Sequence, residues 1–212
     1  MTESAQKAAS RRGRHRGTER GDSRREELVH VASELFAENG YRDTSIADIA
    51  ARVGVTQQAL LYYFGSKQAL LDAVIDDRDG AAVAFAEELA GIGGVDAIRA
   101  LPASARRNVA DPNLVRLFAV LVAENLPRDA VAHDHFVARY RRLRRIVAGL
   151  VADGQRDGVF DPGIDPALKA AEVVAVIDGL NTQWLLDPDD VDIVAVTEQF
   201  AEGLVASLRP RS

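Results

Sequence analysis

Apolar residues recur at helical spacing along nearly all of the chain after residue 25. In the segment REELVHVASELFAENG they form a single stripe with members three or four residues apart: Leu28, Val31, Ala32, Leu35 and Phe36. This spacing is typical of an amphipathic helix, and the Asn-Gly pair that follows suits a left-handed helix end. No segment alternates convincingly as a strand would. The pattern therefore predicts an all-α protein whose first helix ends at Gly40.

Two short helices are expected next. In TSIADIAARVG, either Thr44 or Ser45 can act as the N-cap, and Gly54 ends the helix. Its stripe consists of Ile46, Ile49, Ala50 and Val53. A third helix follows, capped by Thr56, with Val55, Leu60 and Phe64 facing inward. Two short helices joined by a tight glycine turn predict a helix-turn-helix.

With its inward face assigned, the third helix presents residue types that suit a DNA groove. Gln pairs in bidentate fashion with adenine, Thr contacts base edges, and Ala and Leu contact the thymine methyl group. The outward residues are Thr56, Gln57, Gln58, Ala59, Leu61, Tyr62 and Tyr63. We expect the Tyr62 hydroxyl to bind phosphate, whereas Tyr63 either does the same or covers the junction with the next helix.

Lys67 lies at the start of a fourth helix, for which Ser66 is the expected N-cap. A cation in a first turn opposes the helix dipole by a few tenths of a kcal/mol to about 1 kcal/mol. A bound phosphate would offset this cost, since free N–H groups at a helix start also attract anions. The alternative is chance placement of a common surface residue.

The remaining chain predicts a larger helical bundle. Helical patterns cover 66–90, 94–106, 111–125, 133–157, 165–186 and 189–208, which brings the total to about nine helices. The segment DPALKAAEVVAVIDGLNTQWLL is apolar nearly all round, so it requires burial on two sides. The last helix carries two stripes: Ile193, Thr197, Phe200 and Leu204 on one, and Val194, Ala201 and Val205 on the other. We expect these two helices to pair across a twofold axis in a homodimer, the alternative being internal helices of a monomer.

Composition and charge restrict the class of protein and the compartment in which it is expected to act. The 212 residues include no cysteine, which excludes disulfides, thiolate metal sites and cysteine nucleophiles, and is compatible with the cytoplasm. No stretch approaches the roughly 20 apolar residues of a membrane span. Residues 1–25 carry eight Lys or Arg against three acidic residues, although the whole chain has a net charge of −6. We expect residues 1–22 to be a disordered basic arm that either contacts DNA or only solvates the chain.

The later helices offer weaker candidates for a ligand site. A cavity could be lined by large apolar and aromatic residues: Phe85, Phe118, Leu121, Tyr140, Leu143 and Trp184. Many of them also fit an ordinary core stripe. The arginines of RYRRLRR, from Arg139, are expected on a solvated helix face. His133 and His135 lie two residues apart and so point to different sides of a helix, which disfavours a metal site. No cofactor motif is recognised.

The segment from Gly40 to Ile75 resembles the DNA-binding domain of the TetR family of transcriptional regulators. The spacing, the caps and the helix-end residues agree together at Gly40, Thr44, Ile49, Ala50, Gly54, Val55, Thr56, Leu60, Tyr63, Phe64, Lys67 and Leu70. The sequence departs from the family pattern at Val53, Gln58 and Leu61, the last of which replaces a frequent tyrosine. The segment DGLNTQWLLDP is similar to the penultimate helix of many members.

The resemblance implies a repressor that binds a pseudo-palindromic operator as a homodimer and is released by a small molecule. The expected domains are the arm at 1–22, the helix-turn-helix head at 23–83 and a ligand-binding and dimerisation domain at 84–212. The expected DNA contacts are Thr44, Ser45, Thr56, Gln57, Gln58, Ala59, Leu61, Tyr62, Tyr63 and Lys67. The alternatives are a helical enzyme, against which the missing catalytic motifs argue, and a nonspecific DNA-architectural protein.

Overall fold

The computed structural model describes the backbone of residues 2–210, and the side chains of 23–210 except 78, 81 and 82. Over this range the chain forms ten helices and no strand, which confirms the all-α prediction. Their bounds are α1 Thr2–Asp43, α2 Ile46–Val53, α3 Gln57–Phe64, α4 Lys67–Ile92, α5 Gly94–Arg99, α6 Pro102–Ala110, α7 Pro112–Glu124, α8 His133–Arg156, α9 Pro166–Leu186 and α10 Ile193–Leu208.

Two helix boundaries differ from those expected. The single helix predicted over 94–106 is two helices, because α5 ends at Arg99 and Pro102 takes the first turn of α6, where its missing N–H costs nothing. The last helix begins at Ile193 and not at 189, since Asp192 is its N-cap and accepts hydrogen bonds from Val194 and Ala195.

The first helix is interrupted where its sequence predicted an end. Gly40 has φ 82° and ψ 165°, which breaks the helical path before Asp43. A side chain would strain this left-handed backbone, and glycine avoids that cost. The bounds of α1 take in most of the expected basic arm at 1–22, but the side chains of the arm lie outside the described residues. Its disorder and its contact with DNA therefore stay predictions.

The chain divides into two compact units, residues 1–77 and 78–212, with the division inside α4. The core of the first unit joins α1, α2, α3 and the start of α4. It is made of fully or almost fully buried side chains: Leu28, Phe36, Ile49, Leu60, Leu70 and Val74. Burial of a side chain of this size contributes about 1.5–3 kcal/mol, so these residues fix the short helices on α1.

The second unit is built around α8, α9 and α10. Val151 of α8, Val173 of α9 and Leu204 of α10 share one hydrophobic cluster with Phe160. Gly154 allows the chain to return after α8, because a Cβ there would lie 2.1 Å from the Phe160 ring. A second cluster surrounds Trp184. None of the helices in the described part of the chain is long and apolar enough to span a bilayer.

Candidate nucleic-acid interface and ligand cavity

The helix-turn-helix is defined by its caps. Ser45, and not Thr44, is the N-cap of α2: its Oγ accepts from the backbone N–H of Asp48 at 3.1 Å. The Asp48 carboxylate in turn accepts from the Ser45 N–H at 2.8 Å, which completes a reciprocal capping box. Hydrogen bonds from the Ser45 side chain and backbone lower the pKa of Asp48. Gly54, with φ 72°, ends α2 in the left-handed conformation.

The third helix has the two faces that its sequence predicted. Thr56 is its N-cap and accepts from the Ala59 N–H at 3.1 Å. Leu60 is fully buried and Phe64 is 9% exposed, so they hold α3 against the first unit. Val55, also predicted to face inward, is only half-buried. The C-terminal half of α3 therefore packs on the core.

The outward face of α3 carries polar and aromatic side chains. Thr56, Gln57 and Gln58 are exposed, and Ala59 is half-buried. Tyr62 is 87% exposed, far more than Leu61 and Tyr63, at 37% each. The Tyr62 and Tyr63 rings meet edge to face at 5.8 Å. Tyr62 thus projects from the end of the helix, whereas Tyr63 is partly covered and keeps both of its expected roles open.

Thr44 requires a correction. We expected it among the DNA contacts, but its side chain is only 2% exposed. Its hydroxyl lies 2.7 Å from the Gly40 carbonyl oxygen and 3.1 Å from that of Leu35. Since the hydroxyl proton is used within the unit, the Thr44 side chain fastens the end of α1 to the start of α2 and does not face outward.

Lys67 has neighbours within its own unit that the sequence did not reveal. Ser66 is the predicted N-cap, with its Oγ accepting from the Ala69 N–H at 3.0 Å. The Lys67 ammonium lies 4.3 Å from the centre of the Tyr41 ring and donates to the Arg42 carbonyl oxygen at 3.4 Å. These contacts offset the unfavourable helix dipole, so the dipole cost no longer requires a phosphate. Lys67 lies only three residues after the end of α3, so its expected contact with DNA phosphate stays a prediction.

The second unit encloses a cavity of about 270 Å³. One wall is a face of α8 from Arg139 to Val151, and another is a face of α9 from Lys169 to Asn181. The first and last residues of each face are twelve positions apart, or about 18 Å at 1.5 Å per residue. The two helices run in opposite directions, because Arg139 and Tyr140 interact with Asp178 while Val151 packs with Val173. The cavity is therefore elongated.

The two ends of the cavity differ in polarity. At one end, Asn108 donates to the Asn181 side-chain oxygen at 2.8 Å, close to Arg139 and Asp178. The other end is lined mainly by aliphatic side chains, Ile98, Val151, Val173, Leu204 and Leu208, together with Lys169, which is paired with Glu172. An elongated molecule with one polar end would match this division.

Four titratable side chains lie together at or next to the polar end: Asp79, Arg139, Tyr140 and Asp178. The Arg139 guanidinium pairs with the Asp79 carboxylate and lies 4.2 Å from the centre of the Phe118 ring. Burial lowers the pKa of Arg139. Burial also raises the pKa of Asp178, although a hydrogen bond from Tyr140 and the charge of Arg139 oppose this shift. Burial, followed by the charge of Asp178, raises the pKa of Tyr140 to about 12.

Both the helix-turn-helix and the helices around the cavity match known protein families. Residues 28–74 match the family described as bacterial regulatory proteins of the tetR family, and residues 98–209 match the C-terminal domain of BetI-type transcriptional repressors. Together these matches cover most of the chain. The chain belongs to the TetR family. It is therefore a DNA-binding transcriptional regulator, as the resemblance of Gly40 to Ile75 implied.

Individual relatives agree with this assignment. The HTH-type transcriptional regulator TtgR of Pseudomonas putida is 27% identical over 213 residues, covering 92% of this chain and 95% of TtgR. FadR of Bacillus subtilis, solved in complex with stearoyl-CoA, has a TM-score of 0.73 at 21% identity, covering 86% of this chain and 98% of FadR. SmeT, solved in complex with triclosan, has a TM-score of 0.77 at 18% identity, with coverages of 89% and 92%. The two structures show a shared fold.

Within this TetR-family cavity, only part of the expected lining is correct. Phe85 and Leu143 line it, as predicted. Phe118 instead lies beneath Arg139, and Tyr140 is bonded to Asp178. Leu121 is fully buried, and Trp184 packs in its own cluster. These four do not line the cavity because their helix faces pack on neighbouring helices.

Polar lining residues were missed for a related reason. Arg139 belongs to a run in which Arg141, Arg142 and Arg145 are exposed as expected and Arg144 is half-buried. Its own side chain is 13% exposed because it meets Asp79. The histidines that we weighed as metal ligands have separate partners: His135 lies 3.1 Å from the Asp79 carboxylate, and His133 lies 3.0 Å from the Asn125 carbonyl oxygen.

The outward faces of α9 and α10 also differ from the expected stripes. Most members of both predicted α10 stripes face this chain's own bundle, including Thr197, Ala201 and Leu204, each 5% exposed or less. A shallow groove on the opposite side is lined by Val176, Leu180, Val196, Phe200 and Gly203. This face is mostly apolar, although Glu172, Gln199 and Ser207 also line it, and such a face suits close contact with another helix pair.

Proposed function

We propose that this regulator is a homodimeric repressor that binds a pseudo-palindromic operator through α3 and leaves it when a small molecule occupies the cavity. The observation that carries the proposal is the division of α3. Leu60 and Phe64 anchor the helix, while Thr56, Gln57 and Gln58 stay exposed at its N-terminal end. The N-terminal residues of a recognition helix are the ones that contact base edges in this motif.

Contacts with bases and with the backbone are assigned by residue chemistry. Gln57 and Gln58 have amide groups that pair with adenine, and the exposed part of Leu61 suits a thymine methyl group. Tyr62, Tyr63 and Lys67 suit phosphate oxygens, which fix the register of the protein without selecting sequence. The backbone N–H groups at the α2 start, next to Ser45, suit another phosphate.

The small DNA-contacting surface of α3 is the reason to expect a dimer. One short helix covers few base pairs, and two copies about 34–36 Å apart reach successive major grooves of a pseudo-palindrome. The groove between α9 and α10 supplies an apolar face for a second copy, extended by Leu168 at 72% and Leu186 at 81% exposure. Large exposed aliphatic side chains on neighbouring helices mark an interaction surface.

The cavity supplies the signal. A ligand shifts the equilibrium between two arrangements only by its difference in affinity for them, so it must favour one in which the two α3 helices no longer fit successive grooves. The apolar lining supports a largely hydrophobic effector. Two structural neighbours were solved with stearoyl-CoA, which has a long apolar acyl chain, and with triclosan, a largely apolar molecule. The protein would act in the cytoplasm, where the operator lies.

Selection of bound fragments from genomic DNA tests the proposal. We expect enrichment of a pseudo-palindrome whose half-sites are about one helical turn, or a multiple of it, apart. Salt titrations should then show tighter binding to the selected duplex than to a random duplex of the same length at every salt concentration. Equal affinity for both duplexes would contradict sequence-specific repression and favour a nonspecific DNA-binding protein.

A further inference from the structure

The charges that line the cavity are not balanced. Four charged side chains line it: Arg107, Arg139, Lys169 and Asp178. Each of the three cations has an acidic partner within the second unit. Arg107 lies 3.5 Å from Glu88, Lys169 lies 2.6 Å from Glu172, and Arg139 pairs with Asp79. Each cation of the cavity wall therefore already has an acidic partner, although the partners of Arg107 and Lys169 are more than half exposed.

Asp178 is the exception. Its carboxylate accepts a hydrogen bond from the Tyr140 hydroxyl, but it forms no ion pair with any cation among the described side chains. Arg139, whose charge acts on Asp178 from α8, is committed to Asp79. The carboxylate thus lies in a largely apolar cavity with the Tyr140 hydrogen bond and the shared charge of Arg139, but with no ion-pair partner of its own among the described side chains. A charge in such surroundings is costly unless a partner of opposite sign reaches it.

The position of Asp178 defines where that partner would sit. Asn181 lies one turn further along α9, and its side-chain pair with Asn108 adds amide groups beside the carboxylate. The opposite direction along α9 leads to Val173 and the mainly aliphatic end near Leu208, where Lys169 also lines the cavity but is paired with Glu172. A ligand whose polar head meets Asp178 would extend its tail among these aliphatic side chains.

We infer that the effector is an elongated amphipathic cation, with an ammonium or similar N–H group bound by Asp178 and an apolar tail between α8, α9 and α10. This inference rests on the proposed ligand response and adds its chemical class. An N⁺–H donor forms a charge-assisted hydrogen bond with the carboxylate, which is about twice as strong as a neutral one. A carboxylate ligand would instead face the repulsion of Asp178 and find every lining cation already paired.

Three probes of equal tail length test the inference by calorimetry on the full chain: decylamine, decanol and decanoate. We expect decylamine to bind most tightly at neutral pH. Asp178→Asn should weaken decylamine binding about tenfold or more while leaving decanol binding unchanged, since the cavity stays intact. Glu87→Gln is the control, because Glu87 is an exposed acid that does not line the cavity. Its affinities for the three probes should match those of the unmodified protein.

Unmodified protein provides a second test that does not depend on the variant. Decylamine stays protonated across mildly acidic pH, whereas Asp178 gains a proton as pH falls through its raised pKa. Tyr140, with a pKa of about 12, remains neutral throughout. Decylamine affinity should therefore fall with pH much more than decanol affinity. A parallel loss of both would overturn the inference.

The outcomes separate this inference from the proposed function. Tighter binding of decanoate or decanol than of decylamine, no binding of decylamine, or no effect of Asp178→Asn would each overturn the assigned ligand class. If decanoate bound and released operator DNA, the proposed function would stand without that class. If decylamine bound in an Asp178-dependent manner but left the operator complex intact, the ligand class would stand and the release step would fail.

Discussion

The guanidinium of Arg139 on α8 lies against the carboxylate of Asp79 on α4, and both side chains are largely buried, at 13% and 14% exposure. His135 lies 3.1 Å from the same carboxylate, and the Phe118 ring lies 4.2 Å from the guanidinium carbon of Arg139. An ion pair that is removed from water in this way is costly to break from one side, because the remaining charge stays buried without a partner.

Asp79→Asn should therefore lower the free energy of unfolding by about 3 kcal/mol. The reason is the stranded guanidinium of Arg139, and not the loss of an attraction alone. Urea unfolding followed by circular dichroism measures the change. Asp79→Asn combined with Arg139→Met should recover much of this stability, since the second change removes the stranded charge.

The pair between Glu87 and Arg142 is the matched control. It joins the same two helices, but its side chains are 56% and 50% exposed. Glu87→Gln should cost less than about 1 kcal/mol, because solvent screens an exposed pair. Similar decreases for Asp79→Asn and Glu87→Gln would contradict a special role for the buried pair.

The buried pair also illustrates what the sequence could and could not predict. Leu60 and Phe64 were identifiable as buried because helical spacing is a local property. The burial of Arg139 depends on Asp79, which lies 60 positions earlier and meets it only through helix packing. The lack of an ion pair at Asp178 among the described side chains depends in the same way on contacts among several helices, so residue spacing within one helix could not reveal it.

The helix caps were only partly predictable from the sequence. Thr44 and Ser45 both have suitable side chains, and the sequence left the choice open. The structure gives the cap to Ser45 because the Thr44 hydroxyl is used by the end of α1. The capping-box partner Asp48, three residues after Ser45, was a signal in the sequence that favours this choice.

Gln57→Ala and Tyr62→Phe should affect DNA binding in different ways. Loss of the Gln57 amide should reduce discrimination at one base pair of each half-site by about 1–3 kcal/mol. Loss of the Tyr62 hydroxyl should weaken binding to selected and random duplexes alike, because phosphate contacts carry no sequence information. Fluorescence anisotropy with single-base variants of the operator measures both effects. The opposite pair of outcomes would reverse our assignment of base and phosphate contacts on α3.

Removal of residues 1–22 tests the expected role of the basic arm. If the arm binds DNA, the plot of log affinity against log salt should become less steep by about 0.9 for each phosphate that the shortened protein no longer neutralises. Neutralising Arg11, Arg12, Arg14 and Arg16 in the full chain is the control for the effect of truncation itself. An unchanged slope in both variants would show that the arm takes no part in binding.

The capping box predicts a pH-dependent contribution from α2. Hydrogen bonds from Ser45 lower the pKa of Asp48 in the folded chain, so the stabilisation is present above the ordinary carboxylate pKa. It disappears as pH falls through the lowered value, where Asp48 gains a proton. Titration by NMR should find the pKa of Asp48 below the ordinary value of an aspartate. Ser45→Ala should raise the Asp48 pKa toward its ordinary value, and an unshifted titration would refute the box in solution.

Gly203→Arg should separate dimerisation from folding. Gly203 lies in the groove between α9 and α10, and a Cβ at this position meets no other atom of the chain within 4 Å. The substitution should leave the fold of each protomer intact while placing a bulky charge in the proposed interface. Sedimentation velocity should show at least about a tenfold weaker dimer, equivalent to about 1.4 kcal/mol.

Ala206→Arg is the control, since Ala206 is exposed on α10 and does not line the groove. Operator affinity should fall with the dimer, because a single α3 covers only one half-site. A Gly203→Arg protein that remains fully dimeric would place the twofold contact elsewhere on the chain.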